Sequence, residues 1–215
     1  YMDHTSNTIY VAFKVKETDK EYLKDTSVII WTTTPWTIPA NKALAFNSNI
    51  DYSVLEIENL EHFKEKRIVV ATNLVKEITE ICEIKNYKEI KTFKGSEFQK
   101  TICSHPFVKM KFEYNVPMLD AQFVNLEQGT GIVHCAPSHG PDDFSLCLKN
   151  NIPSLYTVDN GGLYTNEIPF FENTHIFKAD PIVIEKLKEQ KKLLKNDKLS
   201  HSYPHSWRSK APLIY

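Results

Sequence analysis

The chain has 215 residues, 41% of them hydrophobic and 25% charged, enough for one sizeable domain with a buried core. With 26 Lys and Arg against 27 Asp and Glu the formal charge is −1, which excludes a free-standing, strongly basic nucleic-acid clamp and leaves room only for a local basic surface. No apolar run approaches the roughly 20 residues of a membrane helix, and no signal pattern precedes the first strand-like segment, so no membrane partner is expected.

Alternating β-branched and aromatic residues predict strands at 9–15, 28–33, 52–57 and 68–71. Thr72 or Asn73 then caps a short helix through Ile81, because Leu74, Ile78 and Ile81 recur at helical spacing. Extended pieces are expected around 90–93, 97–103 and 122–126, and a turn at Gln128 and Gly129 feeds a strand over 131–135. The segment from Pro137 to Pro141 breaks that strand. Residues 142–148 read as a helix whose first turn carries Asp142 and Asp143 at the positive end of its dipole. Asp180 as N-cap and Pro181 at N1 open a helix to about Lys195, with Val183, Leu187 and Leu194 on one stripe. Its lysines are interleaved with Glu185 and Glu189, which favours a solvated face over a nucleic-acid patch. Strands that follow each other without regular helices predict a mixed α/β, mostly β domain, a bent-sheet or β-barrel core with peripheral helices.

Cys82, Cys103, Cys135 and Cys147 show no Cys-x-x-Cys spacing and fit idle thiols in a reducing compartment, so neither disulfide nor metal is expected. The most unusual segment is Trp-Thr-Thr-Thr-Pro-Trp-Thr-Ile-Pro-Ala-Asn at 31–41. Pro35 and Pro39 remove donors and force their predecessors extended, leaving several hydroxyls at a rigid bend suited to a polar ligand. An edge strand with paired threonines, Trp31 and Trp36 filling the core, is the plainer alternative. The second segment is Gly-Thr-Gly-Ile-Val-His-Cys-Ala-Pro-Ser-His-Gly-Pro-Asp-Asp at 129–143. It lacks the third glycine of a dinucleotide loop, and no phosphate-cradling loop occurs elsewhere. His134 and Cys135 are neighbours on a strand and point to opposite faces, which argues against a nucleophile and base pair. A core histidine and a helix-capping carboxylate are the ordinary readings of His134 and Asp143. Histidine, carboxylate and a glycine-flanked turn within so short a stretch are nevertheless how a pocket for a cationic polar ligand is built.

Together the two segments resemble the editing domain, connective polypeptide 1, inserted in class I isoleucyl-tRNA synthetases. The likeness rests on Trp-Thr-Thr-Thr-Pro-Trp-Thr at 31–37, Pro-Ala-Asn at 39–41, Gly-Thr-Gly-Ile-Val-His at 129–134 and His-Gly-x-Asp-Asp at 139–143. Valyl and leucyl relatives typically carry Thr-Thr-Arg-Pro, an acidic residue and Thr, so Thr34 and Trp36 favour the isoleucyl branch. The opening residues 3–10 and the closing 203–208 are similar to the edges of the family's insertion, so the likeness covers nearly the whole chain. His-x-Gly-His and Lys-Met-Ser-Lys-Ser, the family's adenylation signatures, do not occur. The resemblance therefore implies one editing domain over 1–215, excised from a larger synthetase whose synthetic site binds ATP. The domain itself is expected to need no cofactor.

The implied activity is hydrolysis of mischarged valyl-tRNA(Ile), and by extension of valyl-adenylate. A hydrophobic synthetic site gains only about 1 to 3 kcal/mol from one methylene, a rule for which isoleucine against valine is itself the standard illustration. The implied partners are the acceptor end of tRNA(Ile), valyl-adenylate and the parent's catalytic body. The implied location is cytoplasmic, with an organelle as the alternative. Carried over residue by residue, the resemblance implies that Asp143 holds the substrate's α-ammonium and that His134 limits the side-chain pocket, with Trp36 as an apolar wall. Thr32, Thr33, Thr34 and Asn41 hold the terminal adenosine or position the hydrolytic water, with Thr33, Thr34 and Asp143 as the catalytic set. Cys135, Ser138 and Ser206 depart from common family members, and none removes a proposed polar contact. A catalytically idle tRNA-binding or structural insertion is the competing reading.

Overall fold

The computed structural model describes residues 2–208 and 213; the ends of the expected 1–215 domain, Tyr1 and most of the last seven positions, lie outside the described residues. Among the described residues ten strands form one sheet. They are β1 (Met2–Glu17), β2 (Ser27–Thr32), β3 (Ala43–Phe46), β4 (Asp51–Ile57), β5 (Arg67–Ala71), β6 (Tyr87–Lys94), β7 (Ile102–Ser104), β8 (Asn115–Asp120), β9 (Val133–Cys135) and β10 (Leu193–Tyr203). Three α-helices accompany them: α1 (Val75–Ile81), α2 (Pro141–Lys149) and α3 (Ala179–Glu189). The result is mixed α/β, mostly β, with an open sheet and few helices.

The strand order is β6-β4-β5-β2-β1-β7-β8-β3-β9, with β10 added along the outer half of β1. The long β1 joins the two parts. Its residues 9–14 pair antiparallel with β2, its residues 2–11 with β10, and Val15 and Glu17 with β7. Register shifts at Tyr10/Val11 and at Val15/Glu17 are where such a strand bends and twists more strongly. This bending brings β9, at one edge of the order, back toward β2 near its middle, and the two strands face a common cavity. Apolar side chains of β1, β2, β4 and β5, including Val28, Ile29, Ile30, Val54, Leu55 and Val69, are fully buried. The strands that the sequence predicts most clearly are therefore those with both faces covered.

Several expectations need correction. The piece expected to be extended at 97–103 contains a 3-10 turn, Gly95–Phe98, and only Ile102–Ser104 is strand. Residues 122–126 form turns and coil. Neither Thr72 nor Asn73 caps α1: a 3-10 turn, Thr72–Leu74, precedes it, and the Thr72 hydroxyl bonds Ser53 Oγ at 2.8 Å. α3 ends at Glu189 rather than Lys195, because Lys191 turns into the left-handed region at φ 54° and the Lys192 N–H returns to the Leu187 carbonyl at 2.9 Å. Leu193 and Leu194 then enter the core from β10, so the spacing of Leu194 from Leu187 matched a helical stripe by coincidence. Asp180 lies inside α3 and caps nothing there. Its carboxylate accepts from the Trp36 N–H at 3.0 Å and from Asn7 Nδ2 at 3.4 Å.

Candidate functional site

β2 delivers Trp31 and Thr32 to the sheet's end, and Pro35 and Pro39 then make continued pairing impossible, so Pro35–Ala40 folds as a 3-10 turn. Such a turn stacks residues three apart. Thr34 and Thr37 accordingly present their hydroxyls 3.3 Å from each other, and Thr32 Oγ1 lies 3.1 Å from Thr34 Oγ1. Across from them runs β9, preceded by Gly131 at φ 76°, where a Cβ would stand 2.5 Å from Ala71 Cβ. Only glycine lets the loop approach β5 so closely, and this sets the height at which β9 arrives. Gly129, at φ 84°, lies against the Trp31 ring, where a Cβ would meet ring carbon at 3.6 Å.

Between the two segments lies a cavity of about 170 Å³, lined by Trp31, Thr32, Thr34 and Thr37 on one side and Val133, His134, Ala136, His139 and Asp143 on the other. An apolar cavity of about 150 Å³ accommodates a molecule the size of benzene. This one, at about 170 Å³ and with polar lining, is of comparable size.

Its base is rigid. Asn41 Nδ2 donates to the Ala43 carbonyl at 2.9 Å, which fixes the orientation of the amide, and faces His134 Nδ1 at 3.1 Å. His134 Nδ1 is therefore the acceptor and Nε2 carries the proton, donated to Thr37 Oγ1 at 2.8 Å. Thr37 in turn donates to the Thr34 carbonyl at 2.9 Å. Burial, with His139 nearby, lowers the His134 pKa to about 4, so the ring is neutral at physiological pH, and with Nδ1 accepting from Asn41 and Nε2 donating to Thr37 it has no free lone pair to take a proton. Cys135 points the other way, into a small apolar cluster with Ala43, Ala45 and Cys147.

Asp143 enters from the first turn of α2, its Oδ2 accepting from the Ala136 N–H at 2.8 Å. Burial raises its pKa from 3.8 to about 6, against that hydrogen bond and with some help from Asp142. Among the described residues it is the lone carboxylate in the lining. A partly dry, singly hydrogen-bonded carboxylate of this kind is suited to hold a cation.

Of the residues singled out in the sequence, Thr32, Thr34, His134 and Asp143 meet at this cavity. Asn41 is buried behind it, holding the His134 ring. Trp36 lies beside it, its ring edge-on to His139 with centroids 4.8 Å apart. Thr33, partly buried, is not in the lining. Thr37 and His139 do line it and were not singled out. The threefold step from Thr34 within a proline-bounded turn is the signal that could have found Thr37. His139 opens the His-Gly-x-Asp-Asp motif at 139–143, which is its signal; its position is fixed by Trp36 and by Thr157, whose hydroxyl lies 2.8 Å from His139 Nε2. Among the described residues no group of three or more His, Cys, Asp or Glu could hold a metal ion, and no helix is long and apolar enough to cross a membrane.

An open, bent sheet of this kind is the fold of solved synthetase editing domains. The leucyl-tRNA synthetase editing-domain family matches residues 5–196, and the chain belongs to it. All 215 residues align with isoleucine–tRNA ligase of Pelagibacter ubique (strain HTCC1062) at 64% identity and with that of Lactococcus lactis subsp. lactis (strain IL1403) at 37%. The chain spans 24% and 22% of those two proteins, about a quarter of their length. Two solved structures share the fold at low identity. GlLeuRS-CP1 superposes with a TM-score of 0.67 over 92% of this chain and all of its own, at 12% identity. The Plasmodium falciparum cytosolic leucyl-tRNA synthetase editing domain gives 0.64 over 92% of this chain and 99% of its own, at 11% identity.

Proposed function

We propose that the chain is the hydrolytic editing module of an isoleucyl-tRNA synthetase, removing valine from the ester of mischarged tRNA(Ile) and, by extension, from the mixed anhydride valyl-adenylate. The observation that carries this reading is the shared cavity of about 170 Å³ between the 31–37 and 133–143 segments, with one carboxylate in its lining. In this reading Asp143 receives the α-ammonium. The neutral His134 ring, locked by Thr37 and Asn41, closes the end where a longer aliphatic chain would go. Thr32 and Thr34 offer hydroxyls to the hydrolytic water and the developing oxyanion. An aminoacyl ester is already activated, so a positioned water suffices: it adds to the acyl carbonyl, the ribose oxygen leaves with a proton (from the adenylate, AMP leaves instead), and free valine departs. A neighbouring ribose hydroxyl of the tRNA assists that proton transfer. Asn41 and Trp36 act through the histidines they hold. Thr33, which stands outside the cavity lining, is left for the adenosine.

Binding energy alone does not separate the two amino acids well, whereas a pocket that excludes the larger one by size does. The decisive experiment is deacylation of valyl-tRNA(Ile) by the full-length synthetase bearing this domain. The reading expects valine to be lost much faster than in buffer and isoleucyl-tRNA(Ile) to be spared. Loss of valine at the buffer rate would leave a tRNA-binding insertion as the better description.

A further inference from the structure

The turn that presents Thr34 begins with a cap that the turn does not supply itself. Thr34 occupies the N-cap position of Pro35–Ala40. Pro35 has no N–H, and the Thr37 N–H bonds the Thr34 carbonyl at 3.0 Å, so the Trp36 N–H is the donor at this end that has no partner within the turn. A threonine in this place ordinarily turns its hydroxyl onto such a donor. Thr34 makes no capping bond; Asp180, 144 residues further along, accepts from the Trp36 N–H at 3.0 Å instead. Asp180 is held in turn by Asn7 of β1, and the Trp36 carbonyl accepts from the buried Tyr164 hydroxyl, so both ends of this residue are gripped from outside the turn.

We infer that Asp180 is a positioning residue of the editing cavity: by capping Trp36 it releases the Thr34 hydroxyl, which would otherwise be consumed by the backbone, to the cavity. The inference rests on the reading of that cavity as the hydrolytic site, and it explains why Thr34 Oγ1 is found beside Thr32 Oγ1 at 3.1 Å and Thr37 Oγ1 at 3.3 Å rather than on Trp36. What the Trp36 N–H needs is an acceptor, not a negative charge, so an amide at position 180 performs the same task.

The test uses the full-length synthetase and valyl-tRNA(Ile). Asp180→Ala is expected to fold, with Thr34 taking over the cap, and to lower the deacylation kcat about tenfold, the size of one hydrogen bond lost in the transition state. KM for the tRNA stays within about twofold, since the change affects the transition state rather than binding. Asp180→Asn keeps most of the wild-type rate. Thr34→Val alone also slows the reaction, but adds less than about twofold on top of Asp180→Ala, because the hydroxyl has already been withdrawn. Multiplying effects of the two substitutions, a wild-type rate in Asp180→Ala, or failure of that variant to fold would each overturn the inference. A crystal structure of Asp180→Ala decides independently of activity: Thr34 Oγ1 within hydrogen-bond reach of the Trp36 N–H supports it, and Thr34 unmoved refutes it. A wild-type enzyme that does not deacylate refutes the proposed function, while this structural arm still judges the cap.

Discussion

Asp143→Asn should make the protein more stable and less active at once, and the stability gain should depend on pH. The variant keeps the size of the side chain and an oxygen for the Ala136 N–H, which Asp143 accepts at 2.8 Å. What it removes is the cost of holding a charge in a partly dry pocket, visible as a pKa raised by burial from 3.8 to about 6. At about 1.4 kcal/mol for each tenfold change in proton affinity, that rise corresponds to about 3 kcal/mol as a ceiling. Water at the cavity mouth screens part of it, leaving about 1 to 2 kcal/mol. Because the folded-state value lies above the unfolded one, the folded protein holds this proton more tightly. The carboxyl therefore costs no stability below about pH 4 and costs progressively more as the pH rises through 6. Urea unfolding of wild type and variant from about pH 4 to about pH 8 should show the two curves together at the acid end and the variant ahead by that amount above about pH 7. Deacylation by the variant should fall at least about a hundredfold, since a neutral amide does not neutralise an ammonium in a partly dry site. A difference that does not change with pH, or a variant less stable at neutral pH, would refute the assignment of Asp143 as a desolvated anchor.

Gly131→Ala should lose about 2 to 4 kcal/mol in chemical unfolding, combining a left-handed backbone with a Cβ at 2.5 Å from Ala71 Cβ; adding Ala71→Gly should recover the overlap but not the backbone part. His134→Ala removes the neutral ring between Thr37 and Asn41 and should raise hydrolysis of isoleucyl-tRNA(Ile) by at least about tenfold; a variant that still spares isoleucine would place the size limit on another residue.

The sequence marks the site better than it marks the fold. Proline spacing at 35 and 39, the run of threonines, and the pair of glycines at 129 and 131 are local chemical statements, and they lead to the segments that meet in the structure. Strands β2, β4 and β5 were legible because their buried faces demand β-branched residues, as in Val-Ile-Ile at 28–30. β3 was not, since Ala-Leu-Ala-Phe carries little β preference beyond Phe46 and is a strand because β8 and β9 pair with it on either side. β8 hides behind Pro117, which reads as a strand breaker yet lies opposite Ile102 of β7. β10 is rich in Lys, Asn, Asp and Ser and owes its extended state to β1.

By itself the sequence determined which side chains could do chemistry here: hydroxyls at a rigid bend, a carboxylate in the first turn of a helix, a histidine on a strand. Local conformational preference and side-chain chemistry are properties of a few neighbouring residues and can be read from them. Tertiary structure alone decided that Thr37 would lock the His134 ring, that Thr33 would stand outside the cavity lining, and that Asp180 would serve Trp36 rather than its own helix. Each of those depends on groups brought together from distant parts of the chain by the bending of one sheet, and no local pattern encodes a distance across such a bend.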